Sequence, residues 1–209
     1  RSYMLVGGMP EAVATYTETG SYRYSSDIVN EIIQGYQDDF AKYGAKANPL
    51  LLRQTLISVA HQAGAKFVYS RVEGQYRSAE VKVALEMLKD AGLIIPTYHT
   101  DANGVPLGAE INERVVKYLI HDTGVLLGIL GIDDDIDDSI KEMMVADSID
   151  LVDKGHVAEM MAGLELIKYS SPQKRHQLYY WQNMNKGTCA EVDYVIARSG
   201  SIVPIEVKS

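Results

Sequence analysis

Apolar residues recur at helical spacing through the first part of the chain and give way to alternation towards its end. Over "SDIVNEIIQGYQDDFAKYG", Ile28, Ile32, Ile33, Tyr36 and Phe40 fall on one face, and Gly44 supplies a stop. Before it, "GGMPEAVATY" places Pro10 after a Gly-Gly turn, where a helix takes its first residue. In "NPLLLRQTLISVAHQAG", Asn48 is the cap, Pro49 the first helical residue, and Leu51, Leu52, Leu56, Ile57 and Ala60 the apolar face, with Gly64 at the end. A further helix runs from about Ser78 to Ala91 on a stripe of Val81, Leu85 and Leu88 and stops at Gly92. The strand "LIIPTYHT", the turn "DANGVP" and the segment "LGAEINERVVKYLIHD" follow. Helix, turn, helix and two-stranded hairpin is the order of a winged helix.

The pattern changes from about Asp150. "LVDKGHVAEMMAGLELIKYS" reads as a helix with Val157, Met161, Leu164 and Ile167 on one face. Three strands follow in "HQLYYWQ", "AEVDYVIA" and "SIVPIEVK", expected as an antiparallel meander with its own small core. The expected class is α+β. A helical lead-in covers 1–50, a winged helix 51–130 and a strand-rich domain 150–209, with the boundary drawn between 130 and 150.

Composition narrows this picture only a little. The chain has 209 residues, of which 46% are hydrophobic and 23% charged, as in ordinary globular proteins. Its net charge of -8 argues against a broadly basic nucleic-acid surface. A lone cysteine, Cys189, excludes an internal disulfide and reads as a packed small hydrophobe. No apolar run approaches the roughly 18 residues of a spanning helix. These features predict a soluble cytoplasmic chain with no membrane partner, a piece of a longer protein. The acidic stretch "GIDDDIDDSIKEMM" fails as a calcium loop. Counted from Asp133, Asp138 and Met144 stand where Gly and Glu belong, so it reads as a solvated helix start.

The chemistry concentrates in "EVDYVIARSGSIVPIEVKS". A two-residue turn at Ser199-Gly200 sets Asp193 opposite Glu206, Glu191 opposite Lys208 and Val195 opposite Pro204. Glu191, Asp193, Glu206 and Lys208 then share one face. Val192, Tyr194, Ile196, Val203, Ile205 and Val207 form the other, which must be core. Like charges opposite each other cost a hairpin a few tenths of a kcal/mol to about 1. A shared proton, Lys208 or a divalent cation would have to neutralise them. Two carboxylates and water suit Mg²⁺, which could activate a water for attack on a phosphodiester. Lys208 could orient that water or steady the developing charge. Glu159, on the preceding helix, is a third carboxylate within reach if that helix packs on the strands.

These residues resemble the PD-(D/E)xK nuclease superfamily, in which a helix bears a Glu and a hairpin carries Asp on one strand and (D/E)-x-K on the next. The matching positions are Glu159, Asp193, Glu206 and Lys208, although Val192 replaces the Pro of the motif. The resemblance implies a catalytic set of those four residues and an Mg²⁺ held by Glu159, Asp193 and Glu206. A narrower resemblance covers most of the chain. "GGMPEAV", "YLIHDTGVLL", "GHVAE", "YYWQ", "EVDYVI" and "VPIEVKS", in that order, are similar to the C-terminal half of bacterial and archaeal AAA-type ATPases. That family joins an N-terminal P-loop domain to a winged helix and a nuclease-like domain of unknown function. No G-x-x-x-x-G-K-[ST] occurs here, so the resemblance puts ATP binding in a domain upstream of Arg1. It also implies a nuclease-like α/β domain cut short one residue after Lys208. The functions it implies are a Mg²⁺-dependent DNA nuclease module or, as the alternative, a non-catalytic module that binds a DNA or protein partner.

Overall fold

The computed structural model describes residues 2–43, 48–131, 154–170, 177–183 and 190–208. Gly44, the acidic stretch after Gly131 and Cys189 lie outside the described residues. The fold is mixed α+β, with helices first and strands concentrated towards the C-terminus.

The early helices form where their caps and stripes place them. α1 (Ser2–Val6) is short, and α2 (Pro10–Thr19) opens on Pro10. α3 (Tyr22–Phe40) begins six residues before the apolar stripe starts at Ile28, because Ser21 caps it by accepting from the Tyr24 N–H. α4 (Pro49–His61) is capped by the Asn48 side chain, which accepts from the Leu50 N–H at 2.9 Å. α5 (Ser78–Asp90) buries Val81, Leu85 and Leu88 as its spacing predicts, and adds Ala84. Val29, Ile33, Leu52, Leu56, Leu85 and Leu88 meet in one core with Leu119 and Ile120 of the following hairpin.

β1 (Ile94–Thr100) and β2 (Ile111–Ile120) pair antiparallel, with a register shift between Tyr98 and His99. β2 is buried continuously from Val115 to Ile120, so both of its faces are covered. Its neighbours are α4 on the helical side and α7 (Lys154–Lys168) on the other.

The last strands depart from a simple meander. β3 (Leu178–Gln182) runs parallel to β1 and antiparallel to the two-residue β4 (Glu191–Val192), giving one sheet in the order β2-β1-β3-β4. β5 (Tyr194–Arg198) and β6 (Ser201–Ile205) form a separate two-stranded ladder. β3 and β4 thus complete a sheet begun by the hairpin, and Leu178 and Tyr194 join the one core rather than enclosing another. Continuous burial on β2 is the physical reason, because its second face needs a cover that α1–α5 do not supply.

Helix α7 also turns differently from its expected stripe. Val157, Met160 and Leu164 are the fully buried residues, while Met161 and Ile167 are only partly covered. The same rotation buries Glu159. At Gly163 the helix comes so close to β5 that an added Cβ would lie 2.4 Å from the Tyr194 hydroxyl.

The N-terminal turn is locked onto α6 (Thr123–Ile129) by one buried carboxylate. Asp122 Oδ1 caps α6 by accepting from Val125 N–H at 3.1 Å, and Oδ2 accepts from Gly8 N–H at 2.6 Å. Gly7 has φ +76, and a Cβ there would sit 2.2 Å from Asp122 Oδ1. The Gly-Gly pair is therefore required by both backbone angle and close approach. Replacing Asp122 with Ala removes a cap and a charge-assisted bond, and is expected to cost about 2–4 kcal/mol in urea unfolding. Burial raises the phenol pKa of Tyr118 and Tyr194. The unfolded phenols ionise near about pH 10, while the folded ones hold their protons to higher pH. Their contribution is whole below that pH and is lost as pH climbs through the raised values. Denaturant midpoints measured in an alkaline pH series should fall once pH exceeds about 10.

Candidate functional site

The sheet register gathers polar side chains on the face that α7 covers. Thr97 pairs with Lys117 across β1–β2 and with Leu178 across β1–β3, and Gln182 pairs with Glu191 across β3–β4. Alternation along β3 then puts Tyr180 and Glu191 on the same face as Lys117. Lys117 is only 3% exposed. Its ammonium donates to Glu159 Oε1 at 3.0 Å and also pairs with Glu191 Oε1. It lies 5.0 Å from the centre of the Tyr180 ring, within cation–π range. Tyr180 is fully buried, and its hydroxyl has no hydrogen-bond partner among the described residues.

Electrostatics follow from one base shared among several acids. Burial alone would push the Lys117 ammonium down, but the charges and hydrogen bonds of Glu159 and Glu191 hold it above its ordinary value. Glu159 is raised, first by burial and then by the neighbouring Asp193 and Glu191, and Lys117 offsets only part of this. Negative charge therefore exceeds positive charge in this interior. The main chain of α7 is fixed to β5 at the same point, where the Tyr194 hydroxyl donates to the Glu159 carbonyl at 2.7 Å.

The hairpin register is as expected, and the collision of charges is not. Ser199 and Gly200 both have positive φ, the turn geometry whose twist suits a two-residue hairpin. Tyr194 pairs with Ile205, Val195 with Pro204 and Ile196 with Val203. The ladder ends there. Asp193 and Glu206 are not a ladder pair; Asp193 Oδ2 accepts from the Val207 N–H at 2.8 Å. A carboxylate that can bond a backbone donor is more stable there than opposite another carboxylate. Glu191 pairs with Lys117 and not with Lys208. Lys208 instead lies 3.6 Å from Glu206, both largely in solvent. The two faces also differ from the expected division, since Val195 is buried while Ile196, Val203, Ile205 and Val207 are half-buried.

Glu159 and Asp193 are thus brought into one electrostatic neighbourhood, and Glu206 and Lys208 form a separate exposed pair. Among the described residues, no three His, Cys, Asp or Glu side chains are gathered as a metal ion would need. The facing oxygen of Glu159 is held by an ammonium, and one oxygen of Asp193 by a backbone N–H. As arranged, this donor set does not fit Mg²⁺, which demands near-octahedral oxygen ligation. Lys117 and Tyr180 are the residues that the spacing argument missed. The available signal was a lysine inside "RVVKYLI", a run otherwise apolar enough to be buried on both faces.

The chain belongs to the family described as Domain of unknown function (DUF8612), whose model matches residues 1–136. Residues 154–209 match a second family model, Domain of unknown function (DUF4143). The Lys117–Glu159 and Lys117–Glu191 pairs therefore join one matched segment to the other. No curated protein and no solved structure matches the chain. Among the described residues, no helix is long and apolar enough to cross a membrane.

Breaking a buried pair costs far more than removing an exposed one. Lys117→Met leaves two carboxylates without their counter-ion and should lower stability by about 3–5 kcal/mol in denaturant titration. Lys208→Met should stay within about 0.5 kcal/mol of the parent.

Proposed function

We propose that the chain is the C-terminal module of an AAA-type ATPase and that it acts by binding a partner rather than by cutting one. The observation that carries this reading is the Lys117 ammonium seated between Glu159 and Glu191, in the place where a nuclease would need a free carboxylate and a metal. The match of residues 154–209 supports the setting, since DUF4143 is a domain found in AAA-ATPase-associated proteins. The helix–turn–helix and hairpin of residues 49–120 have the element order of a winged helix, a common docking domain.

A protein partner suits the surface better than DNA. The net charge is -8, and α5 presents Glu80, Glu86 and Asp90 beside its two lysines. One of those, Lys89, is already paired with Glu86. A DNA-reading helix would offer unpaired cations to phosphates.

A competing reading is Mg²⁺-dependent phosphodiester hydrolysis by Glu159, Asp193, Glu206 and Lys208. It draws on the shared neighbourhood of Glu159 and Asp193. Incubating the protein with duplex and single-stranded DNA and Mg²⁺ or Mn²⁺ separates the two. No cleavage is expected. Cleavage that disappears in both Asp193→Ala and Lys208→Ala would replace the binding reading with the nuclease one.

A further inference from the structure

A buried carboxylate beside a half-buried one calls for a cation, and in this chain a side chain from a distant strand supplies it. Lys117 comes from β2, in the segment matched by the first family. Glu159, Tyr180 and Glu191 come from α7, β3 and β4 beyond it. Three features make this a built site for one kind of cation. Glu159 and Glu191 accept from a single nitrogen. The face of Tyr180 closes a third side. Among the described residues, the fully buried Tyr180 hydroxyl has no hydrogen-bond partner, and it lies in the field of Glu191. An aromatic face and two single oxygens suit a primary ammonium, which offers three donors and tolerates a π surface. They suit a hard divalent ion poorly, because that ion takes only oxygens and several waters.

We infer that Glu159, Glu191 and the Tyr180 ring form a primary-ammonium cage, filled by the chain's own Lys117. The inference rests on the binding reading above, in which this site does not cut nucleic acid. It adds the chemical class of ligand that the site accepts. The cage also gives the two family-matched segments a shared ligand, since neither supplies both cation and carboxylates.

Lys117→Ala keeps the Cβ and deletes a fragment equal to n-propylammonium. The thermal midpoint of this variant should fall by about 10 °C, on the scale expected when a buried pair is broken in a domain of this size. Adding n-propylammonium chloride should recover a large share of that loss. Sodium chloride at equal ionic strength, Mg²⁺ and Mn²⁺ should not. Rescue should vanish in Lys117→Ala/Glu159→Gln, which removes one wall of the cage. Recovery by Mn²⁺ and not by the amine would overturn the inference in favour of a metal site. Recovery by neither would also overturn it, leaving Lys117 a packing residue. If Lys117→Ala is unfolded in buffer, the same additives are read by recovery of its circular dichroism. Recovery by the amine alone then supports the cage, and any other pattern overturns it. A second measurement starts from the unaltered chain. Calorimetric titration of the unaltered chain with Mn²⁺ should show no stoichiometric binding, and binding that Glu159→Gln abolishes would overturn the cage. None of these outcomes depends on DNA cleavage, so the inference and the binding reading can fail separately.

Discussion

The buried ammonium of Lys117 is the interaction on which the rest of the C-terminal architecture depends. It links β2, α7 and β4 and lies against β3, so four elements are placed by reference to one nitrogen. Desolvating that charge is expensive, and the arrangement is stable only because two carboxylates answer it directly. The asymmetry matters more than the net gain. Each element that carries a partner is held in place by the cost of leaving the others uncompensated. This explains why a parallel β1–β3 pairing, which has no hairpin to enforce it, is nevertheless specified. Only that pairing brings Glu191 and Tyr180 to the lysine.

Excess negative charge shapes the neighbouring hairpin. Among the described residues, the buried Glu159 and the half-buried Glu191 share one ammonium, with the half-buried Asp193 close by. Extending the β5–β6 ladder by one more pair would add Glu206 to that field. The chain stops pairing at Tyr194 and Ile205 instead, and Asp193 turns to the Val207 N–H. Glu206 then lies in solvent beside Lys208, where water screens both. Like-charge repulsion is thereby relieved by a local change of structure.

What could be read from the sequence divides along the range of the interactions involved. Helices α2, α4 and α5 and the Ser199-Gly200 turn were legible because their causes lie within a few residues: Pro10, the Asn48–Pro49 cap, the Val81–Leu85–Leu88 stripe, and a turn that needs positive φ at both positions. The carboxylates Glu159 and Asp193 were legible as a group, and the structure places them near each other. Their counter-ion was not, since Lys117 is 42 residues from Glu159 and on the far side of the drawn boundary. The rotation of α7 was missed for a related reason. A stripe drawn through Val157, Met161, Leu164 and Ile167 treats Glu159 as a surface residue. Once a buried ammonium is present, the helix gains more by turning Glu159 and Met160 inward. Periodicity describes apolar burial and is blind to a charge that becomes an inside residue by pairing.

A tethered cation differs from a dissolved one in a way that bears on the whole fold. A metal ion binds from solution, so the stability it confers depends on its concentration and disappears with a chelator. Lys117 is delivered by β2 folding, and its effective concentration is fixed by the strand that carries it. The cluster is neutralised whenever the sheet is formed and at no other time. Charge balance thereby becomes a consequence of correct strand order. A C-terminal segment that folded without β2 would leave Glu159, and the half-buried Glu191 beside it, without their counter-ion, which penalises the segments for folding apart. The Lys117–Glu159 and Lys117–Glu191 pairs thus tie the packing of one matched segment to that of the other.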